Sequence, residues 1–292
     1  MSDKDRSNLA SAIAAAEKSP TDDAAWDNVE SIAAKLDSPD DVAAAYVRAL
    51  GDKMSAEAAE ALGQRAARFH DEWYGQDASG NLAQLLGRVL ELAPRSDWAF
   101  QRLTVALTVS ERWVDLLALY DRALSHTSEK ARQEKLLDEA YQVAKDLAGK
   151  PAEAIAYLRR LYGLTRDVKQ ARELERLLER HDNFKELVQF LEQRIEHVAP
   201  AERPQVRLRI ARTWFENLND AGKALDTARL LLAERGRETA EPGASELLER
   251  LRAMVGLLDL VEGVNEDLEQ HRSLAPPEAV DLGPLRVTGR TH

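Results

Sequence analysis

Apolar residues recur three and four positions apart along most of this chain, and the breaks in that rhythm are regularly spaced. Trp26, Val29 and Ala33 form one stripe; Val42, Tyr46, Ala49 and Leu50 the next; Ala58, Leu62, Ala66 and Phe69 a third; Leu82, Leu85, Leu86, Val89 and Leu90 a fourth. Each stripe covers one side of a 3.6-residue helix and leaves the other side polar, so each predicts one amphipathic helix. Start and stop signals agree with the stripes. Asp22 and Asp23 offer an N-cap for a helix ending at Leu36, and Ser38-Pro39-Asp40-Asp41 is a turn leading into a helix. Ser55 caps a long helix through Trp73 that closes at Tyr74-Gly75, and Pro94 breaks the chain again.

The pattern pairs helices into hairpins. Residues 98–109 and 113–124 pair across Ser110-Glu111-Arg112; 128–148 and 151–163 pair across Gly149-Lys150-Pro151; 167–180 pair with 183–197. Residues 203–218 and 221–234 pair across Asn219-Asp220, and after Glu241-Pro242-Gly243 a last pair is expected at 244–255 and 257–270. A short Ala-rich helix at 7–17, ended by Pro20, precedes them as a cap. Two hairpins then repeat as a block. RWVDLLALYDRALSH aligns with NFKELVQFLEQRIEH when Trp113 is set on Phe184, and AGKPAEAIAYLRRLY aligns with LNDAGKALDTARLLL when Ala154 is set on Ala224. The two offsets differ by a single position. Leu260, Val264 and Leu268 answer Leu187, Leu191 and Ile195, and before them Leu116, Tyr120 and Leu124. A fixed period in helices with one apolar stripe each is the signature of a helical solenoid, because a lone hairpin cannot bury its own apolar side.

These hairpins resemble the tetratricopeptide repeat, a helix-turn-helix unit of about 34 residues. With Phe100 at the family's usual first large position, Leu103, Leu107, Leu116, Tyr120, Ala123 and Leu124 fall on its packing positions. Leu208, Ala211, Phe215, Ala224 and Ala228 do so later, and the turns GKPAEAI and ERWVDL look like those of divergent bacterial repeats. The chain departs from the family at its small residue early in the first helix, which is Thr104 in one unit and Glu175 in another. The resemblance implies an all-α, right-handed superhelical solenoid of about fourteen helices. It implies protein–protein binding along a concave groove lined by each unit's first helix, without enzymatic activity. The expected organisation is an N-terminal capping helix at 1–21, a repeat array at 22–272 and a tail without helical period at 273–292.

Composition sharpens the picture. Aromatics are 5% of the chain against a hydrophobic fraction of 44%, so Ala and Leu supply most of the apolar surface, which suits close helix packing. The formal charge of −11 is uneven: −8 over residues 1–100, zero over 101–200 and −3 over the rest. An acidic chain repels a phosphate backbone, so nucleic acid is not an expected partner. There is no cysteine, which removes disulfides and thiolate metal sites. The opening segment MSDKDRSNLASAIAAAEKSP holds no apolar run behind a basic start, and no apolar run is long enough for a membrane span. A cytoplasmic chain without membrane insertion is expected, and a homo-oligomer is compatible with it. No cofactor or metal is expected, because phosphate-binding glycine loops, nucleophile elbows and His-Glu zinc helices are all missing from the sequence.

The sharpest polar feature is the run Lys169, Arg172, Arg176 and Arg180, which falls within about 80° of one helix face, opposite Leu174, Leu177 and Leu178. The next first helix adds Arg209 and Arg212. Such a face can clamp an acidic peptide or a C-terminal carboxylate through guanidinium forks, which gives a second reading as a peptide-sensing regulator whose groove closes on its ligand. Against it stands a solvated face balanced by Glu173, Glu175 and Glu179. Trp73 and Tyr74 end a helix beside a loop and form a candidate binding anchor. His70-Asp71 and His181-Asp182 invite comparison with metal-dependent His-Asp hydrolases, but no further ligands recur at helical spacing. His126 and His197 are repeat-equivalent and are expected to cap helix ends. Trp98, Trp113, Trp214 and Phe184 are expected in the core. The tail segment GPLRVTG has the look of a short docking peptide.

Overall fold

A computed structural model describes residues 3–75 and 80–235. Among these residues there are thirteen α-helices, and they pack mainly on their neighbours in the chain. They are α1 (Asp3–Lys18), α2 (Asp23–Leu36), α3 (Pro39–Ala49), α4 (Ala56–Tyr74), α5 (Gly80–Leu92), α6 (Asp97–Val109) and α7 (Trp113–Ser125). There follow α8 (Lys130–Gln142), α9 (Pro151–Thr165), α10 (Val168–Arg180), α11 (Phe184–Ile195), α12 (Arg203–Arg212) and α13 (Ala221–Arg235). The predicted pair at 244–270 and the tail lie outside the described residues. The chain divides into two compact units, residues 1–177 and 178–292.

In the first unit α1 packs on α2 and α3, and contacts then run from each helix to the next as far as α9. The second helices also touch in series, α1 on α3 and α3 on α5. The core begins with an aromatic row: Trp26 is fully buried and stacks on Tyr46 with ring centroids 4.1 Å apart, Phe69 lies 5.8 Å from Tyr46, and Trp73 lies 6.0 Å from Phe69. The Trp26 indole Nε1–H donates to the Pro20 carbonyl at 3.0 Å, so its one polar atom is satisfied. In the second unit Leu208, Ala211, Ala224, Ala228 and Leu231 form a smaller core, with Trp214, Phe215 and Leu225 packed against it.

The period is written into the backbone of the turns. Glu111 and its repeat-equivalent Asp182 both adopt the left-handed conformation, at φ 53° and 56°. Each lets the following amide reach five positions back: Arg112 N–H to the Leu107 carbonyl and Asn183 N–H to the Leu178 carbonyl, both at 2.9 Å. This is the helix stop in which one left-handed residue turns the chain so that the last carbonyls are satisfied. The other turn repeats with an unusual detail. After α8 and α12 the helix widens into a π turn, Val143–Leu147 and Thr213–Asn217, and the left-handed residues Gly149 and Asn219 follow at equivalent positions. Lys150 N–H then reaches the Ala144 carbonyl and Asp220 N–H the Trp214 carbonyl, both at 2.8 Å.

Several expectations need correcting. Helix α1 begins at Asp3 and not at 7. Trp98, Trp113, Trp214 and Phe184 are half-buried, not core. Trp98, Trp113 and Phe184 sit in the first turn of α6, α7 and α11, and Trp214 lies in a π turn with the Lys223 ammonium 4.2 Å from its ring centroid. His126 is the C-cap residue of α7 and His197 follows the Glu196 cap of α11; their backbone amides donate to the Ala123 and Arg194 carbonyls.

Among the described glycines, Gly63 on α4 has the least room for a side chain: an added Cβ would stand 2.5 Å from Val89 Cγ2 of α5. Gly63→Ala is expected to destabilise the fold by about 1–3 kcal/mol, because a branched side chain in a packed core must move. Gly87→Ala and Gly163→Ala meet nothing within 4 Å and are expected to be neutral or stabilising by up to about 1 kcal/mol. Urea midpoints of the three variants check this.

Candidate interaction surface

The first helices of four hairpins, α4, α6, α8 and α12, are each tied to the first helix before them by an arginine. Arg65 on α4 reaches three acids of α2: its Nε and Nη2 contact the two oxygens of Glu30 at 3.0 and 2.8 Å, Nη2 also meets Asp27, and Nη1 lies 3.2 Å from Asp23. Arg102 on α6 pairs with Asp71 on α4, and Arg132 on α8 pairs with Asp97 on α6 at 2.6 Å. In the second unit Arg209 on α12 pairs with Glu179 at 2.7 Å. Arg48 on α3 to Glu17 on α1, Arg88 on α5 to Asp52 in the turn after α3, and Arg160 on α9 to Asp121 on α7 repeat the device. For all seven arginines the cation is the later residue, and the sequence separations, from 30 to 42, match one helical hairpin.

Tyrosines do the same work with neutral donors. Tyr46 donates to Glu30, Tyr74 to Asp40, Tyr120 to Glu139 at 3.2 Å, Tyr141 to Glu173 at 3.2 Å and Tyr157 to Asp121 at 3.0 Å. Each bond joins two helices. Burial, and then the carboxylate each one faces, pushes the hydroxyls of Tyr46, Tyr74, Tyr120 and Tyr157 well above the ordinary tyrosine range.

On α10, Lys169, Arg172, Arg176 and Arg180 are exposed, and Ala171, Leu174, Leu177 and Leu178 are buried, as the helical spacing requires. The expected balance of charge differs. Glu173 takes Arg176 at 2.6 Å and also accepts from Lys145 and Tyr141. Glu179 is held by Arg209, and Glu175 turns into the interior with 2% exposure. Arg209 is therefore a strut and not a free ligand-binding cation, while Arg212 is exposed. Trp73 is half-buried against Phe69, and Tyr74 is held by Asp40 and lies 4.8 Å from the His70 ring. These two residues anchor the end of α4.

The His-Asp dipeptides also have structural roles. His70 is buried and Asp71 is the partner of Arg102, whereas Asp182 is the left-handed residue of a helix stop. Among the described residues no group of three His, Cys, Asp or Glu side chains is placed to hold a metal ion, and no helix is long and apolar enough to cross a membrane.

The first-helix surface of the first unit contains a cleft of about 630 Å³ between α6 and α8. Its floor is Phe100, Tyr120 and Leu136, and Thr104 and Val105 form its α6 wall. The hydrophobic pattern along the chain does not single it out. Its one signal in the sequence is Thr104, a residue that departs from the repeat pattern. Compared with known protein families and with curated proteins, the chain matches none.

Arg65→Ala is expected to cost about 2 kcal/mol, less than the 3–5 kcal/mol of a fully buried pair because the Asp23 and Asp27 side chains are exposed. Thermal unfolding at low and high salt measures it, with a smaller penalty at high salt. A second expectation concerns alkaline pH. The unfolded tyrosines ionise near pH ~10 while the folded ones keep their protons, so the unfolded state then binds fewer protons and stability falls as pH rises; below that pH the contribution is whole. Tyr46→Phe should make the fall in denaturant midpoint between about pH 9 and 11 shallower than in the native chain.

Proposed function

We propose that this chain is a non-enzymatic interaction scaffold, a right-handed superhelical array of tetratricopeptide-like repeats that holds a partner protein or peptide along its first-helix surface in the cytoplasm. The observation that carries the reading is the recurrence of a two-hairpin block down to the hydrogen bonds of its turns. An architecture that repeats its backbone and varies its exposed side chains is suited to presenting an extended surface. Of the polar residues that first suggested catalysis, Asp71 is engaged in an interhelical pair and Asp182 in a helix stop, which supports the same reading.

A second reading, a regulator that closes on an acidic peptide or a C-terminal carboxylate, is favoured by one observation. Lys169, Arg172 and Arg180 are exposed along a single face of α10.

Affinity capture tests both. The full chain immobilised in native lysate should retain a defined protein that excess free chain competes away, and retention of nothing above a control surface would overturn the scaffold reading. The double variant Arg172→Glu with Arg176→Glu should abolish capture if the acidic-ligand reading holds. Unchanged capture would remove that reading and leave the scaffold standing. A stoichiometric transition metal in the purified chain would instead favour the hydrolase alternative.

A further inference from the structure

Resting on the first-helix surface as a partner site, we infer that the cleft between α6 and α8 receives a peptide segment of a partner protein that sets one apolar side chain beside a lysine or arginine. Three independent features of the cleft select this occupant.

The first is the α6 wall. From Trp98 to Ser110 the only charged residue is Arg102, and it is engaged by Asp71. Val105 and Val109, one turn apart, are 61% and 68% exposed. Valine is a mediocre helix former, so helix propensity gives no reason to place two of them on a wet face. Val105 lines the cleft, and beside it the floor of Phe100, Tyr120 and Leu136 is apolar. An apolar side chain entering from outside covers both surfaces.

The second is the Thr104 hydroxyl. Its oxygen is shielded from solvent and hydrogen-bonds to nothing. Thr108 and Thr213 show the usual solution, donating to the carbonyl four positions back at 2.7 and 2.9 Å. Thr104 does not. A peptide main chain laid along the cleft brings a carbonyl that a small rotation of this side chain can reach, which a purely hydrocarbon ligand cannot supply.

The third is charge. Asp97, Glu129 and Glu139 face the cleft against Arg132 and Lys135. Arg132 is committed to Asp97, Lys135 stands 3.9 Å from Glu139 with its side chain mostly exposed, and Glu129 makes no capping bond to the helix it precedes. The cleft thus carries one carboxylate in excess. Covering it with a neutral group would desolvate that charge, and an acidic group would meet only cations already paired. A cation beside the apolar anchor satisfies both conditions.

Selection of short random peptides displayed on phage against the full chain tests this. The expected outcome is a consensus pairing an apolar residue with Lys or Arg. Fluorescence anisotropy of the consensus peptide should then show binding weakened roughly tenfold or more by Val105→Lys, several-fold by Glu129→Lys, and not at all by Arg172→Glu. Val105 and Glu129 are exposed, so both variants should melt like the native chain, and Gln101→Lys, at another exposed residue lining the cleft, provides a second variant if either does not. An acidic consensus lost in Arg172→Glu would overturn the inference while leaving the scaffold reading intact. Failure to select any peptide, or binding indifferent to both Val105→Lys and Gln101→Lys, would also overturn it, whereas the scaffold reading itself falls only if lysate capture fails as well.

Discussion

Every helix in this chain has one apolar side and must find another helix to cover it. That constraint sets the architecture, because a hairpin of two such helices still leaves apolar surface on its flank. In the first unit the surface left by α2 and α3 is met by α1 on one side and by α4 and α5 on the other, and burial of Trp26, Tyr46, Phe69 and Leu86 follows. Stability therefore accumulates from neighbour to neighbour, with few contacts between residues far apart in the chain.

Apolar stripes slide easily, and a second set of interactions fixes the register. An arginine or a tyrosine on one helix reaches a carboxylate on another, often about one hairpin earlier. Individually, exposed pairs of this kind add little to stability. Their value is directional: Arg102 finds Asp71 only when α6 lies at one height along α4, and Tyr157 finds Asp121 only when α9 is correctly set on α7. Arg65 is the exception in strength, since it gathers Glu30, Asp27 and Asp23 and shares Glu30 with Tyr46.

These struts also decide what is left for a partner. A cation that locks two helices is not available to a ligand, as with Arg209, and a carboxylate that serves three donors, as Glu173 does, is a poor counter-charge for anything else. On α10, Lys169, Arg172 and Arg180 remain exposed, whereas the cleft between α6 and α8 has an apolar floor with carboxylates at its edge.

Among the described residues, the amino-acid sequence by itself determined most of the helices, several of their stops and the two-hairpin period. Those features are local: an apolar stripe, the Asp22 and Ser55 caps and the turns around Glu111 and Asp182 each involve residues within about one or two helical turns of one another. The expected basic face of α10 is local in the same sense, and its exposure follows from helix geometry. Only the tertiary structure decided that Arg209 is spent on Glu179, that Glu175 points inward, that Trp113 and Phe184 are half-covered, and that Thr104 lacks a partner in the wall of a cleft. Each of those outcomes depends on the height and rotation of one helix against another. Side chains a whole hairpin apart in the chain meet or miss by a few ångströms, and a one-dimensional pattern does not contain that distance.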